Sequence, residues 1–240
     1  MFNFTQTHAS WQPILRNALM QVDPHYIETL TKNPNWLPGF TKMFNAFSLP
    51  LEKTRYILFG ESPYPRAASA NGYAFWDNAV HDLWSNTGLS KKVNRATSLR
   101  NMIKMLMVAQ KLLSNNNTSQ QAIAQVNKFP LVQTIEQLFD NFMSNGFLLL
   151  NASLALGADL SVPQHAKKWL PFIKYLLEYL SQNKEDITLI LFGNIAKIIQ
   201  SMPQSKLFSQ LVAEHPYNIS FITNQKILQF FEPFQLLTYK

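Results

Sequence analysis

Four short apolar runs punctuate the chain, and none of them alternates with polar positions. Residues 56–59 (YILF) end at Gly60, 147–150 (FLLL) end at Asn151, 187–192 (ITLILF) end at Gly193, and 211–213 lead into Glu214-His215-Pro216. Continuous runs of this length predict strands buried on both faces, the habit of parallel sheets. The segments between them repeat apolar residues every three or four positions. Residues 98–113 form the longest such stretch, with Ser98 as its predicted N-cap. Residues 134–142, 167–180 and 195–199 behave alike, and 11–30 read as a helical region interrupted at Asp23-Pro24. Strands alternating with helices predict right-handed crossovers and an α/β/α sandwich, an α/β fold in three layers. The polar stretch 114–121 (SNNNTSQQ) is expected to be a solvated loop between helices. No repeat or linker divides the chain. One domain over 1–240 is expected, with 1–50 a mainly helical part of it.

Composition narrows the chemistry. The chain has 240 residues, 47% of them hydrophobic, enough for a sizeable core. It has no Cys, which excludes disulfides, thiolate zinc sites and Cys-held iron–sulfur clusters and makes a reducing cytoplasm the expected location. Five scattered His argue against a His-rich metal site, so no metal or other cofactor is expected. The absence of an 18-residue apolar run or a secretory layout at the N-terminus leads to the same expectation of a soluble protein without a membrane partner.

The net charge of +7 has a location. Residues 83–135 contain no Asp or Glu but seven cations: Lys91, Lys92, Arg95, Arg100, Lys104, Lys111 and Lys128. The remainder of the chain is balanced. A one-signed stretch in a neutral background fits a surface that meets a polyanion, nucleic acid foremost; a face that only keeps the protein soluble would read the same way.

In open parallel sheets the ligand crevice lies beyond the carboxyl ends of the strands. Those ends read Gly60-Glu61-Ser62-Pro63-Tyr64-Pro65, Asn151-Ala152-Ser153, Gly193-Asn194 and His215-Pro216-Tyr217-Asn218. They offer many hydrogen-bonding groups and few charges, which suits a small, planar, polar ligand. No GxxxxGK[ST], GxGxxG or GxSxG occurs, so triphosphate hydrolysis, dinucleotide oxidoreduction and lipase-type catalysis find no support.

These termini also carry a resemblance. Residues 57–76 (ILFGESPYPRAASANGYAFW) resemble the signature of the uracil-DNA glycosylases, a strand followed by G-Q-D-P-Y-H and later G-L-x-F-S. SLRNMIKML (98–106) is similar to the family's S-L-x-N-I-x-x-E-L, and FLLLNASLAL (147–156) to its L-L-L-N-x-x-L-T-V. His165 with Trp169 is similar to S-H…G-W-E, LILFGNIA (189–196) to the L-W-G-x-x-A strand, and HPYNIS (215–220) to H-P-S-P-L-S. Six matches in the same order cover about residues 50–225. The resemblance implies a four-stranded parallel sheet, a monomer, and DNA containing uracil, single- or double-stranded, as partner. Such an enzyme extrudes a nucleotide and reads the flipped base by its polar edge and by stacking.

Carried over residue by residue, the resemblance implies that Phe75 stacks on the base, Asn151 pairs with the uracil edge, and Tyr64 stands where a C5 methyl would fall. His215 would donate to the anion developing on uracil. Ser98, Gly193, Asn194 and Tyr217 match positions that hold backbone phosphates, and Ile219 matches an apolar wedge in the duplex. Lys91, Lys92 and Arg95 would add salt-sensitive phosphate affinity.

The match departs from the family at its catalytic centre. Glu61-Ser62 stands where Gln-Asp is usual, and that Asp is the family's water-activating acid. Ser62 can orient water but cannot take a proton near neutral pH. Glu61, expected beside the uracil, is a substitute base only if it turns inward, and neighbouring side chains on an extended loop point apart. Pro65 replaces a His, Tyr217-Asn218 replaces Ser-Pro, and Trp169 lacks its Gly and Glu neighbours. Three readings follow: a slower uracil glycosylase, a catalytically silent relative that binds DNA or protein, or a glycosylase for another base.

Overall fold

The structure is a computed structural model and describes residues 3–33, 35–157, 159–184 and 186–239. In chain order its elements are α1 (Gln12–Leu19), α2 (Pro24–Lys32), β1 (Tyr56–Gly60), β2 (Trp84–Ser85), β3 (Gly88–Leu89), α3 (Lys91–Arg95), α4 (Thr97–Ala109), α5 (Gln120–Gln125), α6 (Ile135–Ser144), β4 (Phe147–Asn151), α7 (Val162–Asn183), β5 (Thr188–Phe192), α8 (Asn194–Gln200), β6 (Ser209–Ala213) and α9 (Gln225–Phe231), with short 3-10 turns among them. The four apolar runs pair in the order β4-β1-β5-β6. β1 lies parallel to both β4 and β5, with Tyr56 opposite Phe147 and Gly60 opposite Asn151. The α/β class with a four-stranded parallel sheet and flanking helices is the one the sequence predicts.

The chain divides into two compact units, residues 1–74 with 146–212, and residues 75–145 with 213–240. In the first, Ile57, Phe59, Leu148, Leu150, Leu189 and Leu191 project from one sheet face into a core shared with Trp11, Leu15, Trp169, Phe172 and Leu176 of the flanking helices. The intervening Leu58, Leu149 and Ile190 are buried as well, which is why these strands show no polar alternation. β6 departs from the expectation of burial on both faces. It is an edge strand in which only Leu211 is buried. The interruption at Asp23-Pro24 is a helix start: Asp23 accepts from the His25 N–H as N-cap, and Pro24 occupies the first turn, where its missing N–H costs nothing.

In the second unit, α4 buries Leu99, Met102, Ile103, Met105 and Leu106. Stacked rings link Trp76 to Phe139 (5.2 Å) and Phe139 to Phe142 (5.4 Å), and Phe142 meets Phe231 edge-on. Two expectations are corrected here. Ser98 is not the N-cap of α4; Ala96 is, without a side-chain bond, because α3 runs up to Arg95 and leaves one residue for the change of direction. The helix also ends at Ala109 instead of continuing to 113, since Lys111 adopts φ +60°. The polar stretch 114–121 is only partly a solvated loop. Ser119 caps α5, and Gln120 Oε1 accepts from the Leu89 N–H at 2.7 Å while its amide bonds Asn94.

Candidate functional site

In the first unit, β1 and β4 end side by side, so register places Gly60 opposite Asn151. The chain then bridges the two strands: Gly60 O accepts from the Ala152 N–H (2.9 Å) and Glu61 O from the Ser153 N–H (3.0 Å). Asn151 is 3% exposed, and among the described residues its side-chain amide has no hydrogen-bond partner. A Cβ at residue 60 would clash with its Oδ1, and Ala74 Cβ stands 2.8 Å from where that Cβ would be. Glycine is required at 60 by space. Ala74 is tied to β4 through its N–H to Leu149 O at 3.0 Å. After Gly60, Glu61 is exposed, Ser62 and Tyr64 are half-buried, and Pro63 is buried, so Glu61 and Ser62 differ in aspect as an extended segment requires. The Ser62 hydroxyl makes a long bond of 3.4 Å to Pro63 O.

The loop that continues to Ala74 is braced by the first fifty residues. Asn45 Nδ2 donates to Asn71 O (2.8 Å), Ser48 Oγ bonds Tyr73 Oη (3.1 Å), and a Cβ at Gly72, whose φ is +90°, would strike Lys42 O. At the end of β5, Gly193 adopts φ +71°, which glycine enters without a Cβ penalty, and Asn194 opens α8 exposed to solvent.

His165 and Trp169, part of the family resemblance, form a buried triad with Tyr26. The Gly157 N–H donates to His165 Nε2 (2.9 Å), so Nδ1 is the protonated nitrogen and donates to Tyr26 Oη (2.7 Å). Trp169 Nε1 donates to the same oxygen (3.0 Å). Burial pushes the Tyr26 phenol up to about 12 and holds the His165 imidazole below its ordinary value.

In the second unit, Phe75 is a non-glycine residue at φ +63°, a conformation that costs about 1 kcal/mol and persists only where its surroundings enforce it. Its ring centroid lies 6.1 Å from that of His215. The Tyr217 N–H donates to His215 Nδ1 at 3.1 Å, so that nitrogen carries no proton and the hydrogen of the neutral ring sits on Nε2. Beyond it, Tyr217 and Ile219 are exposed apolar side chains, 68% and 81% accessible. Asn101 Nδ2 holds this loop by bonds to Pro216 O and Tyr217 O. Lys91, Lys92 and Arg95 are exposed on α3, and Ser98 is half-buried in the first turn of α4.

The structure thus brings Gly60, Ala74 and Asn151 together in one unit, and Phe75 with His215 in the other. Sequence reasoning missed Asn101 and Asn45 as supports. A signal existed for Asn101: an amide in the apolar face of α4 needs partners when buried. Among the described residues no three His, Asp or Glu side chains gather as metal ligands.

No family model matches the chain. Single proteins and structures do. The crystal structure of the wild-type UNG from Nitratifractor salsuginis is 42% identical, with 98% of this chain and 94% of that one covered at a TM-score of 0.93. A uracil-DNA glycosylase of Campylobacter hominis is 26% identical over 215 residues, 86% of this chain and 77% of that protein. The crystal structure of mimivirus uracil-DNA glycosylase shares the fold at 17% identity and a TM-score of 0.58, covering 88% of this chain and 70% of that one.

Proposed function

The chain belongs to the uracil-DNA glycosylase superfamily, and from that premise we propose that it binds uracil-containing DNA, everts the uracil and hydrolyses its N-glycosidic bond. The observation that carries this reading is Asn151. Its side chain, on a residue 3% exposed at the end of β4, makes no side-chain hydrogen bond among the described residues, so both ends of the amide are left for a ligand. A uracil edge, with a carbonyl acceptor beside an N–H donor, matches both ends of a carboxamide.

In this reading Phe75 stacks on the base, its strained backbone fixing the ring, and Tyr64 excludes the methyl of thymine. Bond cleavage leaves positive charge on the sugar and negative charge on the departing base. His215 Nε2–H donates to that base's oxygen, as an oriented donor that needs no change of protonation. Water completes the reaction by adding to the sugar carbon, oriented by the Ser62 hydroxyl, and the proton it sheds passes to solvent, from which the departed base anion takes one up. Because Ser62 accepts no proton near neutral pH, the rate is expected to be lower than that of a relative with an acid there; Glu61, exposed beside it, serves as a base only if it turns inward. Lys91, Lys92, Arg95, Ser98, Gly193, Asn194 and Tyr217 contact phosphates, and Ile219 fills the vacated stack.

A second reading, a silent DNA-binding relative, is favoured by Ser62 alone. The deciding experiment incubates excess protein with a uracil-containing single-stranded oligonucleotide and measures alkali-labile sites, with binding measured in parallel. Cleavage that Ser62→Asp accelerates supports the first reading. Salt-sensitive binding without cleavage establishes the second.

A further inference from the structure

One peptide group holds His215 Nδ1, and that group has a second holder. Pro216 C=O and Tyr217 N–H belong to one peptide unit, planar, with oxygen and hydrogen on opposite sides. The N–H donates to His215 Nδ1 at 3.1 Å. The oxygen accepts from Asn101 Nδ2 at 2.7 Å, and the same nitrogen reaches Tyr217 O at 3.3 Å. Asn101 Oδ1 accepts from Arg100 Nε at 3.2 Å, which settles which end of the carboxamide faces the loop. Arg100 is itself held by a bond to Asn94 O at 3.1 Å. Asn101 is 2% exposed among Leu99, Met102, Ile103 and Met105, a place where an apolar residue would pack at no polar cost. All of its hydrogen-bonding capacity on the loop side is spent on the two carbonyls that follow His215.

We propose that Asn101 is a positioning residue that sets the tautomer of His215 through the Pro216–Tyr217 peptide. Anchoring the oxygen stops the peptide plane from rotating, so the N–H stays aimed at Nδ1. Donation to the oxygen also polarises the peptide and strengthens its N–H as a donor. Nδ1 is then kept as an acceptor and the ring proton stays on Nε2. Without the anchor the loop gains freedom and the two tautomers compete. The consequence for base excision rests on the glycosylase reading, in which Nε2–H faces the departing base. The tautomer control does not.

Nitrogen NMR of the His215 ring in the full chain, assigned with His215→Asn, separates the two. In the unaltered protein the proton is expected on Nε2, with the Tyr217 amide protected from exchange; a proton on Nδ1 overturns the proposal. In Asn101→Ala and in Asn101→Asp, which keeps the shape but loses the donor, the Nε2–H form should lose its dominance. Single-turnover cleavage of the uracil oligonucleotide, measured at saturating protein, should fall about tenfold to a hundredfold, part of what an acid–base group contributes. A merely structural asparagine would not move the ring spectrum. If either variant folds and His215 keeps its native spectrum, the proposal is overturned whatever the cleavage. If neither folds, the Nε2 proton and the Tyr217 protection in the unaltered protein decide it. A chain that cleaves no uracil would remove the glycosylase reading and leave the spectra to decide the clamp.

Discussion

Two asparagines, 2% and 3% exposed, show how differently the two units treat a buried amide. Asn101 spends its donors on two loop carbonyls and its oxygen on Arg100. Asn151, on the strand end of the other unit, has no such partner among the described residues, and a glycine is kept at 60 to leave room for it. The first arrangement is what stability asks of a buried polar group. The second is what a ligand asks. Their chemistry is identical, so the difference lies in what the fold supplies around them.

The contrast can be attacked at its strongest point. Gly60→Ala puts a methyl group against Asn151 Oδ1 and Ala74. Cleavage should drop by about a hundredfold, the scale of a misplacement near 1 Å, and urea denaturation should show a loss of about 1–3 kcal/mol from overpacking. Native activity in this variant would mean that Asn151 needs no fixed seat.

The two amides should then diverge in stability. Asn101→Ala strands the buried Pro216 carbonyl and frees that of Tyr217, and should cost about 1–3 kcal/mol in urea, whereas Asn151→Ala removes an unpaired group and should fall within about 0.5 kcal/mol of the parent. Equal losses would end the comparison.

Charge offers a milder contrast. Replacing Lys91, Lys92 and Arg95 of the second unit with Ala should flatten the dependence of DNA affinity on salt by about one unit of log–log slope for each phosphate left without its cation. Replacing exposed Lys167 and Lys174 on α7 of the first unit should leave the slope unchanged.

The smallest effect concerns pH. Burial lowers the His165 imidazole below its ordinary 6.5, so the unfolded chain binds the proton more readily. The stability it contributes is complete above about 6.5 and declines as pH falls toward the folded-state value. His165→Phe should lose this slope, as measured by denaturation between neutral and mildly acid pH.

The sheet is legible in the sequence because β1, β4 and β5 are apolar runs without polar alternation, and the end of β4 points to Asn151 for the same reason. β6 misleads, since an edge strand of five residues with one buried side chain looks like a core strand when only LVA is considered. The α3–α4 corner at Ala96 is hidden because a five-residue helix runs into a 13-residue one with a single residue between them. The strain at Phe75 has no local signature, and the amide of Asn101 in an apolar helix face signals a need for partners without naming them. The partners of Asn101 lie more than a hundred residues along the chain, which periodicity does not encode.

The brace between the first fifty residues and the loop 69–74 carries a practical consequence. That loop borrows part of its shape from Lys42, Asn45 and Ser48, so nicking by a protease ahead of residue 48 should unmoor it even with every motif residue intact. Because Asn45 holds a backbone carbonyl at 71, its loss cannot be answered by the side chain there, and a catalytic segment transplanted without its abutment should fail.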